Sequence, residues 1–316
     1  MSRPATHWSK ASETGTILGM RILLLVHRFF GRRGFRFLLF PLILYYYLSQ
    51  PVARDSSKQY LQLLLPYISP EKRTELSSFR HFMMFGEVLL DKFLAWMGRI
   101  GKNDIVLETA SEFAQLGKDG KGGVIVVSHL GNTEICGALA QSLPNIRLTA
   151  LVYTLHSEKF NTLVDKVNKN SQIEMMQVTE ISPATAMILS ERVAAGEYIV
   201  IAGDRTPVTG QSRISLVRFL GKLAPMPQGA FILAGLLKCP VYLMFCLKAK
   251  SKYHIYLERF SGRIEFSRKL REQAINTAVQ QYAERLEYYC IKAPLQWFNF
   301  FPYWRDSVEV PAQSSS

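Results

Sequence analysis

Two kinds of hydrophobic pattern divide the chain. Across residues 51–100 apolar residues recur at helical spacing, most clearly over residues 79–97, and this pattern predicts helices. From residue 101 onward, short apolar runs alternate with helical stretches, which is typical of a largely parallel sheet covered by helices. We therefore predict an α/β fold with a mostly parallel, helix-covered central sheet and a helical lead-in.

Helix ends are indicated by a few local signals. Ser182 and Pro183 suit the cap and the first position of a helix, and Gly196 suits its end. Ser56 and Ser57 suit the cap of a helix in the lead-in. Pro66 ends that helix, so the element is predicted to be short.

The remaining elements follow from the apolar runs and the glycines and prolines between them. Residues 219–227 hold three glycines or prolines and are predicted to form a loop. The predicted strands are residues 105–107, 124–127, 147–153, 198–202, 240–247 and 253–260, and the other predicted helices are residues 111–115, 157–168, 227–237 and 270–290.

The first fifty residues have a different character. Two apolar runs, residues 17–30 and 35–48, are interrupted by basic residues and separated by the segment GRRG. Neither run reaches the roughly 20 uninterrupted apolar residues of a typical spanning helix. Basic residues among Phe, Leu and Tyr favour a segment lying in the interface of an anionic membrane. A true span and core helices of a soluble domain remain alternatives, and we expect no nucleic acid because the stripe is too apolar to face phosphates.

Composition and charge agree with a globular protein that has a basic N-terminal part. The chain has 316 residues, is 48% hydrophobic and carries a formal net charge of +13. Residues 1–60 contain nine Lys or Arg and two acidic residues, a net of +7. We therefore divide the chain into a membrane-associating helical segment, residues 1–50, and an α/β domain, residues 51–316. Four cysteines without a C-x-x-C pair suggest neither a zinc site nor a disulfide framework.

The segment VIVVSHLGNTE, residues 124–134, carries the first candidate chemistry. Its valine-rich run predicts a strand buried on both faces, which places His129 at the carboxyl end of that strand. Gly131 breaks the run, Asn132 suits a helix cap, and Glu134 falls in the first helical turn. In open α/β sheets ligands bind at this edge.

His129 and Glu134 have the side chains that proton transfer requires. An imidazole takes and returns a proton near neutral pH, and a carboxylate that accepts its other ring N–H fixes the tautomer. The alternative is a packed histidine and a glutamate that only stabilises a helix end. Asp204 and Arg205 follow the next buried strand and could face the same crevice, or could simply form a turn.

No phosphate-binding loop, metal cluster or G-x-S-x-G motif occurs in the sequence. A histidine and carboxylate without an evident nucleophile suggest direct transfer, in which the base removes a hydroxyl proton and that oxygen attacks an acyl carbonyl. The backbone N–H groups that follow Gly131 and the side chain of Asn132 are the expected donors to the oxyanion.

Four segments of the chain resemble one family. HLGNTE (129–134) resembles the H-x-G-N-W-E box of the lipid A late acyltransferases, a form of the H-x4-D/E motif of glycerolipid acyltransferases. Three further segments are similar to that family in the same order, namely GDRTPVTG (203–210), FLGKLAPMPQGAFILAGLLKCPVY (219–242) and APLQWFNFFPYW (293–304). With the basic, apolar N-terminal segment, the resemblance covers nearly the whole chain.

The resemblance implies a glycerolipid-acyltransferase-like fold and an enzyme at the cytoplasmic face of the inner membrane. Such an enzyme takes an acyl chain from acyl carrier protein, needs no other cofactor or metal, and esterifies a hydroxyl of a glycolipid or another membrane lipid. By resemblance His129 is the base, Glu134 its partner and Asp204 a further site residue. Gly131, Asn132 and Arg205 are expected to contact substrate.

Two departures from the family pattern concern the acceptor. Thr133 stands where the lipid A enzymes have tryptophan. Thr154 stands where they have an arginine, and the nearby His156 could take over the function of that arginine. The segment HWSKASETGTILGM (7–20) resembles the branch associated with aryl polyene lipid biosynthesis. The acceptor is therefore left open. A hydrolase using the same pair on a thioester and an inactive lipid-binding protein are the alternative functions.

Overall fold

The computed structural model describes residues 17–116, 118, 120–135, 146–152, 173–177, 182–205, 213–264 and 269–304. The helices are α1 (Ile17–Ser49), α2 (Pro51–Leu64), α3 (Pro70–Arg73), α4 (Ser78–Trp96), α5 (Ala110–Gln115), α6 (Pro183–Ala194), α7 (Gly229–Leu237) and α8 (Arg271–Lys292). The strands are β1 (Ile105–Leu107), β2 (Gly123–Val127), β3 (Leu148–Val152), β4 (Ile173–Gln177), β5 (Tyr198–Ala202), β6 (Ile214–Phe219), β7 (Lys222–Pro227), β8 (Val241–Ala249) and β9 (Lys252–Ser261).

Seven strands form the central sheet in the order β1-β9-β8-β2-β5-β3-β4. Every neighbouring pair is parallel except β8 with β9. The predicted mostly parallel, helix-covered sheet is therefore confirmed. The valine-rich strand β2 lies inside this sheet, and all five of its residues are buried.

The two faces of β2 belong to two different cores. Val124 and Val126 pack in the cluster that includes α6, α7 and α8. Ile125 and Val127 pack in the cluster that includes α1 and α4. Because successive side chains of a strand alternate between faces, this one short run anchors both layers of helices.

The predicted loop at residues 219–227 is wrong. β6 and β7 form a two-stranded antiparallel hairpin. Leu220 and Gly221 connect the strands with φ angles of 50° and 76°, as in the tight turns that hairpins favour. The prolines of β7 are compatible with pairing because both strands of a two-stranded sheet are edge strands.

The remaining predicted elements are close to those observed, with two differences. α2 begins at Pro51 rather than at the serines five and six residues later, because proline suits the first helical position. Strand β4, sequence IEMMQ, was not predicted and forms an edge of the sheet. The predicted helix at residues 157–168 lies outside the described residues.

Helix α1 bends at Gly31, whose backbone φ and ψ are 61° and −160°. Beyond the bend, Phe35, Leu39 and Ile43 are buried against the lead-in helices. Phe29 and Phe37 on the same helix are more than 70% exposed. Within the described part of the chain, no helix has both the length and the apolar composition needed to cross a bilayer.

Candidate functional site

The carboxyl ends of β2 and β5 form the edge of the sheet on which the candidate site is built. The two strands are parallel neighbours, with Val127 opposite Ala202. Gly203 extends the pairing by donating its N–H to the Val127 carbonyl at 2.9 Å. His129 and Asp204 follow two residues after that register, and Nδ1 of the ring lies 2.8 Å from Oδ1 of the carboxylate. The predicted proximity of these two residues is confirmed.

Asp204 is buried, with 1% of its side chain exposed. Its Oδ2 accepts the backbone N–H of His129 at 2.8 Å and the indole N–H of Trp297 at 3.0 Å. Burial alone would raise the pKa of Asp204. The attraction of His129, the hydrogen bonds from its ring and backbone N–H groups and the attraction of Arg205 outweigh burial and lower the pKa of Asp204 to about 2. Asp204 is therefore a fixed negative charge at neutral pH.

The hydrogen bond to Asp204 determines the tautomer of His129. An ionised carboxylate can only accept, so Nδ1 donates and Nε2 carries the free lone pair. The His129 side chain is 36% exposed, and Nε2 makes no hydrogen bond within the described residues. Burial and the guanidinium of Arg205 lower the pKa of His129, while Asp204 opposes that shift. At neutral pH the ring is thus an uncharged base.

Glu134 does not occupy the position that the sequence predicted. Its carboxylate lies 2.8 Å from the ammonium of Lys92 on α4, and the ring N–H that it was expected to accept is donated to Asp204. The β2–β5 register places Asp204 directly beside the ring, whereas the loop turns Glu134 toward α4. The predicted pairing of His129 with Glu134 is therefore corrected to His129 with Asp204.

The loop after His129 is held by its own backbone hydrogen bonds. The N–H of Gly131 donates to the Gln296 carbonyl at 2.8 Å, and the N–H of Asn132 donates to the Cys246 carbonyl at 2.9 Å. The N–H groups that follow Gly131 were expected to be donors for an oxyanion, but the first of them, that of Asn132, is engaged within the protein. Gly131 has a φ of +73°, and a Cβ there would overlap the Cys246 carbonyl, so the close approach requires glycine.

The predicted substrate-binding side chains are also engaged. Asn132 is 3% exposed; its Oδ1 accepts the N–H of Glu134 at 3.3 Å, as predicted for a helix cap, and its amide donates to the Val88 carbonyl at 3.4 Å. Arg205 donates to the Phe298 carbonyl at 2.6 Å. The substrate contacts of Asn132 and Arg205 stay predictions, and His156 lies outside the described residues.

Two features of the structure, one at the site and one on α4, were not predicted from the sequence. Trp297 lies in the segment APLQWFNFFPYW, and nothing in its pattern indicates that its indole reaches Asp204. On α4 the buried carboxylate of Asp91 lies 2.6 Å from both Arg32 and Lys248 and accepts the hydroxyl of Tyr253 at 2.5 Å. The only sign of this cluster in the sequence was the acidic side chain of Asp91 in a helix that was otherwise interpreted as apolar.

Comparison with known proteins identifies the family of the chain. A family model described as bacterial lipid A biosynthesis acyltransferase matches residues 5–306. No curated protein was found to be similar to the chain. The match includes β2, β5 and the segment around Trp297, which together build the His129–Asp204 pair. Because it spans nearly the whole sequence, the chain belongs to the bacterial lipid A biosynthesis acyltransferase family and is an acyltransferase.

Proposed function

We propose that the protein transfers an acyl chain from acyl carrier protein to a hydroxyl of a glycolipid or another membrane lipid, with His129 as general base. The observation that carries this proposal is the hydrogen bond between Nδ1 of His129 and Asp204. It orients the ring of a partly exposed side chain and leaves Nε2 basic. Family membership supplies the acyl transfer, and the pair supplies a means of activating the acceptor.

In the proposed reaction, His129 and Asp204 act on the two substrates. Nε2 of His129 takes the proton of the acceptor hydroxyl as its oxygen attacks the thioester carbonyl. The tetrahedral intermediate then expels the thiolate, which receives the same proton from the imidazolium. One ester and one free thiol result. Asp204 stabilises the imidazolium between the two steps.

The proposed place of the reaction is the cytoplasmic face of the inner membrane. The exposed side of α1 carries aromatic and aliphatic residues together with arginines, a combination that favours the interface of an anionic membrane. Cys239, Cys246 and Cys290 are free thiols and buried, in agreement with a reducing compartment. The excess of Lys and Arg over acidic residues in the chain is also suited to binding acidic acyl carrier protein.

The test is an assay of the purified protein with acylated acyl carrier protein and a lipid extract. We expect mass spectrometry to show an acyl ester formed on a lipid, and we expect His129→Ala to lower the rate about 10²–10⁴-fold or more. Release of free fatty acid without a lipid product would show a hydrolase and overturn the proposal.

His254→Ala is the matched control. His254 also has a carboxylate partner, Glu108 at 2.5 Å, but lies on β9 and takes no part in the His129–Asp204 pair. We expect this variant to keep its activity. Circular dichroism should show both variants folded; an unfolded His129→Ala protein would assign His129 a structural role instead.

A further inference from the structure

A chain of buried polar side chains leads from the lead-in helices toward Asp204. Ser57 on α2 and His81 on α4 are completely buried, and Ser78 is 7% exposed. The hydroxyls of Ser78 and Ser57 are 2.9 Å apart, and Oγ of Ser57 lies 2.9 Å from Nδ1 of His81. Nε2 of His81 lies 2.9 Å from the carbonyl oxygen of Trp297.

The acceptors determine the direction of every hydrogen bond in this chain. A carbonyl cannot donate, so Nε2 of His81 carries the hydrogen that Trp297 accepts. Nδ1 of His81 is then an acceptor and receives the hydroxyl hydrogen of Ser57, which in turn accepts from Ser78. Burial lowers the pKa of His81 to about 4, so the ring is neutral and keeps this single tautomer.

Trp297 connects the chain to the site. Its carbonyl accepts from His81 and also from the backbone N–H of Asn299 at 2.8 Å. Its indole N–H donates to Asp204 at 3.0 Å. The indole is 1% exposed and contacts the rings of Tyr60, at a centroid distance of 5.0 Å, and Phe219, at 5.2 Å. Because the indole is packed between these rings, it cannot turn freely about its own side-chain bonds. A shift of the Trp297 backbone would therefore move the indole N–H.

We propose that His81 is a positioning residue of this acyltransferase: by holding the Trp297 carbonyl, it keeps the indole N–H on Asp204 and so sets the basicity of His129. The inference rests on the proposed role of His129 as base. The indole N–H withdraws negative charge from the carboxylate. When that bond weakens, Asp204 becomes a stronger partner for the imidazolium, and the pKa of His129 rises.

The test compares two substitutions of His81 that differ in reach. The amide nitrogen of His81→Gln lies near the position of Nε2 and can still donate to Trp297. The amide nitrogen of His81→Asn lies near Nδ1 and cannot. The readout is the pKa of His129, measured by NMR titration of the full-length protein labelled with ¹³C-histidine, so it does not depend on turnover.

We expect the pKa of His129 to rise by about half a unit or more in His81→Asn and to stay near the wild-type value in His81→Gln. The acid limb of the kcat/KM profile should move with it. Equal values in the two variants would overturn the proposal. Failure of both variants to fold would also overturn it, because His81 would then serve folding alone.

A double variant tests whether His81 acts through the indole. Trp297→Phe should raise the pKa of His129, and adding His81→Asn should raise it no further. Additive shifts would contradict the proposal. Trp304→Phe is the matched control, because that buried indole donates to the Phe219 carbonyl at 3.3 Å instead of to Asp204. If His129→Ala kept full activity, the proposed function would fail, while the NMR titration would still report on His81.

Discussion

The backbone N–H of Phe298 donates to the carbonyl of His129 at 3.1 Å. The Gln296 carbonyl accepts from the N–H of Gly131, so the segment after α8 is hydrogen-bonded to the loop on both sides of Trp297. The backbone on which His129 is mounted is thus fixed by contacts distant in sequence. A site fixed in this way needs little reorganisation when substrate arrives.

Asp204→Asn should lower kcat about 10²–10⁴-fold while the fold is kept. An asparagine amide can donate to Nδ1 of His129 and thereby stabilise the tautomer whose Nε2 already carries hydrogen. Steady-state kinetics at several pH values, with circular dichroism as the check on folding, measure the effect. A variant with wild-type activity would show that Asp204 does not orient the base.

Glu134→Gln and Lys92→Gln should shift the acid limb of the kcat/KM profile in opposite directions. The Lys92 ammonium lowers the pKa of His129, and Glu134 partly compensates that charge from 2.8 Å. Loss of Glu134 should therefore lower the pKa of His129, whereas loss of Lys92 should raise it. Because both groups are partly exposed, we expect shifts of a few tenths of a pH unit.

The pH profiles of the two variants separate this indirect role from direct catalysis. If Glu134→Gln abolished turnover as completely as His129→Ala, Glu134 would act on the substrate itself. That role would differ from the one that the sequence suggested for Glu134, which was to accept the ring N–H of His129.

Gly131→Ala should destabilise the protein by several kcal/mol. A methyl group there adds overlap with the Cys246 carbonyl to the cost of a positive φ. Gly98→Ala is the matched control, because Gly98 has a φ of +68° with no atom near its would-be Cβ, and it should cost only about 1–2 kcal/mol. Urea denaturation measures both; equal losses would mean that the loop can move away from β8.

Asp91→Asn should cost about 3–5 kcal/mol of folding stability, because the buried Lys248 ammonium loses its partner at 2.6 Å and keeps the Glu87 carboxylate 3.8 Å away. Burial would raise the pKa of Asp91, but Lys248, Arg32 and the hydroxyl of Tyr253 outweigh it and lower the pKa. The stabilisation is therefore present above about pH 4, the ordinary value for an unfolded aspartate, and is lost as the pH falls through the lower folded value.

The control for Asp91 is Asp55→Asn. The Asp55 side chain is 68% exposed, and its carboxylate lies 3.8 Å from Arg54, so its loss should change the unfolding free energy by less than about 1 kcal/mol. Denaturation of all three proteins between pH 3 and 7 is the measurement. A wild-type advantage that persisted unchanged at pH 3 would contradict the assigned pKa direction.

Replacing Phe29, Phe30 and Phe37 by serine should release the protein from anionic vesicles. These side chains are 70–79% exposed on α1. Burying their apolar surface in a membrane interface would contribute several kcal/mol to the free energy of binding. Their removal spares the buried residues of α1, whereas deletion of the whole helix would also remove part of the core.

The matched control for α1 replaces three exposed apolar residues elsewhere, Met187, Ile188 and Leu236, by serine. Vesicle sedimentation should show the control still bound. Unchanged binding of the α1 variant would refute α1 as the membrane contact.

The sequence predicted the strands that carry the site better than the contacts between them. The run VIVV indicated a doubly buried strand because both faces of β2 require apolar residues. The partner of His129 could not be assigned in the same way, because it depends on which strand lies beside β2. The hydrogen bonds that occupy the N–H groups of Gly131 and Asn132 likewise come from residues distant in sequence.

The hydrogen bond from Trp297 to Asp204 also has a consequence for biosynthesis. During translation His129 and Asp204 are synthesised long before Trp297, which completes their surroundings. A nascent or prematurely terminated polypeptide would therefore contain both members of the pair in an unfinished setting. Such a fragment should not catalyse acyl transfer, so that only the full-length protein is active.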